Sequence, residues 1–203
     1  MMAKDQHSMD KGQKGEEKKA PSPHPENLVW IDLEMTGLDP QKDVILQAAL
    51  IITNPALEIL DSWMVDIWQP ESALADMVPF VREMHENNGL LERVRKSGVD
   101  TGRAEQEMLR RITSWCSYRP LLCGNTIHSD RKFIDQYMPA LAGFLHYRMI
   151  DVTSIKEIAS RWYGDAVIYD KPRDKQHDAL FDIQQSIAEL AHYRKTVFQA
   201  QKE

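Results

Sequence analysis

Apolar and polar positions over the first third of the chain group into three strand-like runs, 28–34, 44–53 and 57–68, with the turn signal Asn54-Pro55 between the second and third. Strands joined by so short a turn predict an antiparallel meander. The period then lengthens. Residues 101–117 place Met108, Leu109, Ile112 and Trp115 at helical spacing behind Thr101, which reads as the N-cap. Leu121, Leu122 and Cys123 form a short buried strand entering a loop at Gly124-Asn125. A helix over 128–138 carries Phe133, Ile134, Tyr137 and Met138 on one side. A strand near 147–152, a helix over 153–163 and a loop rich in Asp, Lys and Pro at 164–176 come next. The last helix, 177–198, shows Leu180, Ile183, Ile187, Leu190, Ala191 and Val197. The predicted fold is α/β, a mixed sheet with antiparallel strands first and helix-alternating, parallel strands later.

Composition divides the chain in two. Residues 1–26 hold five Lys, five acidic residues, no Arg and almost no large apolar side chain. Such a tail cannot bury enough surface to offset its ordering entropy and is expected to be disordered, leaving 27–203 as the single domain. A transit peptide would be Arg-rich and poor in acids, unlike this tail. The tail's charges cancel, so the net charge of −6 belongs to residues 27–203. A protein that grips a long phosphate backbone carries a basic stripe, and none is evident. No apolar run reaches the roughly 18 residues of a membrane span, and no apolar leader opens the sequence, so a cytoplasmic location is expected. Cys116 and Cys123 lie in apolar surroundings without a CxxC spacing and read as core thiols.

Asp32 and Glu34 interrupt the first apolar run two residues apart, so on a strand both project from one face, with Ile31 and Leu33 on the other. Two carboxylates side by side repel, and a divalent cation between them makes the arrangement tolerable. Carboxylate oxygens suit a hard ion such as Mg²⁺ or Mn²⁺. An edge strand with a solvated polar face is the plain alternative for this segment alone. Asp130 opens a helix, where an acid also complements the helix dipole. Asp182 lies in the last helix, sharing a face with the small Ala179, and His177 stands five residues before it. Taken singly, each has an ordinary explanation.

Together they form an ordered set: DxE on the first strand, an Asp at a later helix start, and HxAxxD on the last helix. This set resembles the DEDDh exonucleases of the ribonuclease H-like superfamily. Within them the closer resemblance is to the oligoribonucleases, carried by NLVWIDLEMTGLDP (27–40), LLCGNTIHSDRKFIDQYMPAL (121–141), HYRMIDVTSIKEIASRWY (146–163) and HDALFDIQQSIAELAHYR (177–194). The resemblance implies a ribonuclease H-like fold and a homodimeric 3′-to-5′ exonuclease on very short RNA, using two Mg²⁺ or Mn²⁺ ions. It implies Asp32, Glu34, Asp130 and Asp182 as metal ligands and His177 as general base. It also implies that Tyr147, Arg148 and Thr153 grip the substrate's 5′ end from the partner subunit. Leu38 matches an apolar wedge against the terminal base, Phe80 a base-stacking aromatic, and His85 a histidine near the nucleotide.

The sequence departs from the family pattern at three places. Gln47 stands for the usual Glu of the second strand, Phe80 for the usual Trp, and Phe181 for an acid before the last ligand. Alternatives are a DEDDh exonuclease acting on longer RNA or DNA 3′ ends, and a non-catalytic dimeric module of the same fold.

Overall fold

The computed structural model describes residues 21–171 and 178–198. Strands β1 (Leu28–Met35), β2 (Ile45–Thr53) and β3 (Ile59–Asp66) come first. Helices α1 (Glu71–Ala75), α2 (Pro79–Asn87), α3 (Leu90–Lys96) and α4 (Thr101–Trp115) follow. The chain then runs through β4 (Leu122–Gly124), α5 (His128–Tyr137), α6 (Pro139–Phe144), β5 (Met149–Asp151), α7 (Val152–Tyr163) and α8 (Ala179–Thr196). They build one five-stranded sheet in the order β3-β2-β1-β4-β5. β1 pairs antiparallel with β2, and β2 with β3, while β1–β4 and β4–β5 are parallel. The mixed sheet expected from the shift of hydrophobic period is the one observed.

Helices cover both faces. Val29, Ile31 and Leu33 of β1 point into a core completed by Met108 and Ile112 of α4 and Phe133 and Ile134 of α5. The opposite side of the sheet presents Trp30, Ala49 and Ile51 to Ala179, Ile183 and Ile187 of α8. β2 is buried at every position, as a strand covered on both faces must be, which is why its sequence runs apolar rather than alternating. Trp30 is wholly buried, and its indole N–H donates to Thr53 Oγ1 at 3.0 Å.

Several features differ from the sequence reading, which gave no element to 139–146, where α6 lies. Asp100, not Thr101, caps α4, its Oδ1 accepting from the Arg103 amide at 2.8 Å. An Asp immediately before a Thr offers the better charged acceptor for the orphan amides of the first turn. The region 69–100, left without assigned elements, folds into α1–α3 around Leu74, Met77, Leu90, Leu91 and Val94 against Leu46. Those helices are too short for a clear period. The last helix starts at Ala179 rather than 177, because Asp178 is its cap and accepts from the Phe181 amide at 3.1 Å. Within the loop expected at 164–176, residues 165–167 form a single 3-10 turn, and 172–176 lie outside the described residues.

Of the tail assigned to 1–26, residues 1–20 lie outside the described residues; His24 already bonds the Trp115 carbonyl through its amide at 3.0 Å. Both thiols are free and buried, and burial pushes Cys116 up to about 12 and raises Cys123 as well.

Candidate metal centre and substrate groove

The site grows from the way β1 outruns its parallel neighbour. β4 pairs with β1 only at Val29 and Trp30, so the strand continues past Trp30 with one edge unclaimed. Into that edge reaches Asp130 from the first turn of α5, its Oδ1 accepting the Leu33 amide at 3.0 Å. Asp32 and Glu34 rise from the face that packs on α8. One oxygen each from Asp32, Glu34 and Asp182 lie within 4.8 Å of one another. Ala179, buried one turn before Asp182, keeps that wall low.

Electrostatics mark this cluster as strained without a counter-charge. Asp32 is held well above the usual carboxylate range, first by burial and then by the charges of Asp130, Glu34 and Asp182, with Lys171 opposing. Glu34 is pushed up to about 8 by burial and by Asp182, Asp130 and Asp178. Burial raises Asp130 too, while the Leu33 amide pulls it back. An all-oxygen set of like charges, half shielded from water, fits hard divalent cations better than thiolate-seeking metals. Asp32, Glu34 and Asp182 form the converging group; Asp130 stands beside it with one oxygen engaged by backbone.

Gln47 lies directly across the ladder from Glu34, and Asp66 directly across from Gln47. The buried Gln47 amide donates to Asp66 at 2.6 Å, and Arg93 Nε holds the other Asp66 oxygen at 3.1 Å. The carboxylate that the family pattern has at 47 is thus replaced by a neutral link to an acid one strand farther out, neutralised by Arg93. Asp66 could have been read from strand register alone, had the third strand's register been assigned.

Beyond Met35 the chain makes a tight turn braced by Asp43, which accepts from Thr36 Oγ1 at 3.0 Å and from the Asp39 amide at 2.9 Å. A Cβ at Gly37 would come within 2.5 Å of Asp43 Oδ2, so this turn requires glycine. Its tip carries Leu38, 81% exposed. Phe80, at the start of α2, is also exposed, at 76%. His85 is different. Its ring is fully buried and Nε2 lies 3.0 Å from the Met35 carbonyl, fastening α2 to the strand end beside Glu34.

Tyr147 and Arg148 lie on the loop before β5. Tyr147 is exposed, stacked on His146 with centroids 4.5 Å apart, and the Arg148 guanidinium sits 5.3 Å over its ring. Thr153 stands in the first turn of α7, where Asp151 caps its amide at 3.0 Å. The Thr153 hydroxyl accepts from the Thr126 amide at 3.0 Å and lies 3.2 Å from the Thr126 hydroxyl. Thr126, absent from the sequence reading, joins His128, Asp151, Thr153 and Arg161 around a groove of about 560 Å³. Its signal was its place just after Gly124-Asn125, in a left-handed conformation with φ 52°. His177 lies outside the described residues. Among those residues no helix is long and apolar enough to cross a membrane.

Residues 29–190 match the family described as RNase T, exonuclease. The chain is 44% identical over 174 residues to an oligoribonuclease of Dichelobacter nodosus, spanning 85% of this chain and 95% of that protein. An oligoribonuclease of Mycobacterium ulcerans is 47% identical over 176 residues, 85% of this chain and 82% of that protein. Among solved structures, the zinc-bound form of the E. coli exonuclease I complex with single-stranded DNA superposes with a TM-score of 0.68 at 14% identity. That match covers 86% of this chain and 41% of the other, so the chain spans about two-fifths of that enzyme's length and the likeness speaks to fold alone.

Proposed function

The chain belongs to the RNase T exonuclease family, among its oligoribonucleases, and from that membership we infer a 3′-to-5′ exoribonuclease that hydrolyses very short oligoribonucleotides to 5′-mononucleotides. The observation that carries the chemistry is the convergence of Asp32, Glu34 and Asp182 oxygens within 4.8 Å. With Asp130 beside them, these residues would hold two divalent cations, Mg²⁺ or Mn²⁺. When bound, such cations would supply positive charge to activate water and to offset charge developing on the phosphate and the departing 3′-oxygen.

The side chains have separate tasks. His177 accepts the proton of the attacking water, for which an imidazole with an unperturbed pKa near 6.5 is suited at neutral pH. The water oxygen bonds to phosphorus, the P–O3′ bond breaks, and the leaving oxygen is protonated from solvent. Leu38 wedges against the terminal base and Phe80 offers a second apolar surface. His85, buried on the Met35 carbonyl, keeps the strand end that bears Glu34 in place near the nucleotide. Thr153, Tyr147 and Arg148 grip the 5′ phosphate, since hydroxyl and guanidinium groups both donate to phosphate oxygens. The exposed Tyr147 with Arg148 over it supports a role in a partner's site, so the working unit is a homodimer, placed in the cytoplasm.

Substrate length tests this reading. With a net charge of −6 on 27–203, little holds a long backbone, and binding energy comes from the two ends of a small ligand. The expected kcat/KM is greatest for 5′-phosphorylated dinucleotides and falls at least about tenfold for longer chains, equivalent to roughly 1.4 kcal/mol. A matched series from two to about ten nucleotides measures it, and equal efficiency on the longest member favours a general exonuclease instead.

Dimer function has its own test. Mixing Asp130→Ala chains with Tyr147→Ala chains should restore part of the activity, because one of the two mixed sites inherits neither defect. Full activity from a demonstrably monomeric preparation would remove the partner's contribution.

A further inference from the structure

Glu189 is an ionisable group deep in the fold that the chemistry above does not use. Its residue on α8 is 0% exposed. Tyr193 donates to Oε1 at 3.1 Å, while the Asn125 amide at 2.9 Å and the Lys171 ammonium at 2.7 Å share Oε2. A buried carboxylate is expensive unless so satisfied, and three partners drawn from three segments do satisfy it. Core glue would explain the bonds to Tyr193 and Lys171. The Asn125 arm leads elsewhere.

Asn125 follows Gly124, the end of β4, and precedes Thr126. Its side-chain Oδ1 is buried with no partner among the described residues, so the bond from Nδ2 to Glu189 alone fastens that amide. The next residue is the left-handed Thr126, whose amide donates to Asp151 Oδ1 and Thr153 Oγ1 at 3.0 Å each. A shift of the Asn125 side chain is therefore transmitted, one residue on, to the pair of threonine hydroxyls lining the groove. We propose that Glu189 is a positioning residue for substrate binding: through Asn125 it sets the Thr126–Thr153 hydroxyl pair that receives the 5′ phosphate. This rests on the reading of Thr153 as part of the 5′ grip.

The unpartnered oxygen supplies an unusual control. Glu189→Gln can still hold Asn125, because the amide can turn and offer Oδ1 to the new donor. Glu189→Leu cannot, and Asn125→Ala removes the arm while leaving Glu189 its other two partners. Tyr193→Phe removes a partner that does not lead to the groove.

Steady-state kinetics on 5′-phosphorylated and unphosphorylated dinucleotides, with thermal melts of the four variants, make the test. Asn125→Ala and Glu189→Leu should raise KM for the phosphorylated substrate about fivefold to twentyfold, the scale of one or two lost hydrogen bonds, with kcat within about twofold. KM for the unphosphorylated substrate should stay put. Tyr193→Phe and Glu189→Gln should leave both KM values near the wild type even where the melting temperature falls. An unchanged KM in Asn125→Ala, or KM values that follow melting temperature across all four variants, would overturn the proposal. Should Glu189→Leu fail to fold, Asn125→Ala decides alone. A wild type with no preference for the 5′ phosphate would instead count against the grip assigned to Thr153, a separate result.

Discussion

Asp32→Ala should abolish hydrolysis and, in the absence of divalent ions, raise the melting temperature. The first half follows from removing a member of the converging carboxylates; the second from their mutual repulsion. Asp32 is raised by burial and by three neighbouring acids, so its charged form is disfavoured where it stands. Glu34, pushed up to about 8 by burial and by Asp182, Asp130 and Asp178, remains in the variant, so the Asp32 contribution is the part removed. The pH dependence has a definite sign. A carboxylate with a raised folded-state pKa contributes stability fully present below its unfolded value and lost as pH climbs through the folded one. For Glu34 the window runs from its ordinary value of 4.5 to about 8, so the ion-free wild type should lose stability across it. Mg²⁺ or Mn²⁺ should flatten that slope, and Asp32→Ala should reduce both the slope and the ion response. Calorimetric melts at several pH values, with and without ions, are the measurement. Near-wild-type turnover in Asp32→Ala at saturating Mg²⁺ would end the metal-centre assignment.

His177→Ala should lower kcat by roughly 10²–10⁴-fold, the usual contribution of a general base, while divalent-ion affinity should stay close to wild type. The separation follows from where the residue falls. Asp178 starts α8 as its cap, and Asp182, one turn in, already reaches the carboxylate group. His177 precedes that cap and is not needed to complete the oxygen cluster, which is formed from Asp32, Glu34 and Asp182. Its loss should therefore leave the ions in place and remove the proton acceptor. Calorimetric titration of Mn²⁺ into the variant distinguishes the roles: a large loss of affinity would make His177 a ligand.

What could be read from the sequence depended on whether the signal was local. Asp32 and Glu34 were legible because strand period alone puts them on one face, and the observed register agrees. Cys116 and Cys123 were legible as core thiols from their apolar neighbours, and both are buried and unbridged. Helices α1–α3 were not, because five to nine residues give too few turns to establish a period, and their order comes from packing on Leu46. Asp66, Thr126 and Glu189 were missed for a second reason. Each matters through a partner far away in the chain: Gln47, Thr153 and Asn125 respectively. A buried Glu in an amphipathic helix looks like any other surface acid until the turn that meets it is placed. The family resemblance named residues expected to touch ions or substrate and was silent on those that would position them.

The bond between Asp130 and the Leu33 amide ties two kinds of selection to one side chain. If Asp32→Ala removes activity and relieves the repulsion as expected, a lineage that no longer needed the enzyme could lose Asp32 with a gain in stability. Asp130→Ala would leave a buried backbone donor without its acceptor, a loss of about 1–3 kcal/mol. Asn at 130 would keep the acceptor and still forfeit the charge. Descendants of this fold that drift into inactivity should therefore lose position 32 freely, yet at 130 retain Asp or settle on Asn. An inactive relative bearing an intact Asp130 would be no sign of residual catalysis, only of a strand edge that must be closed.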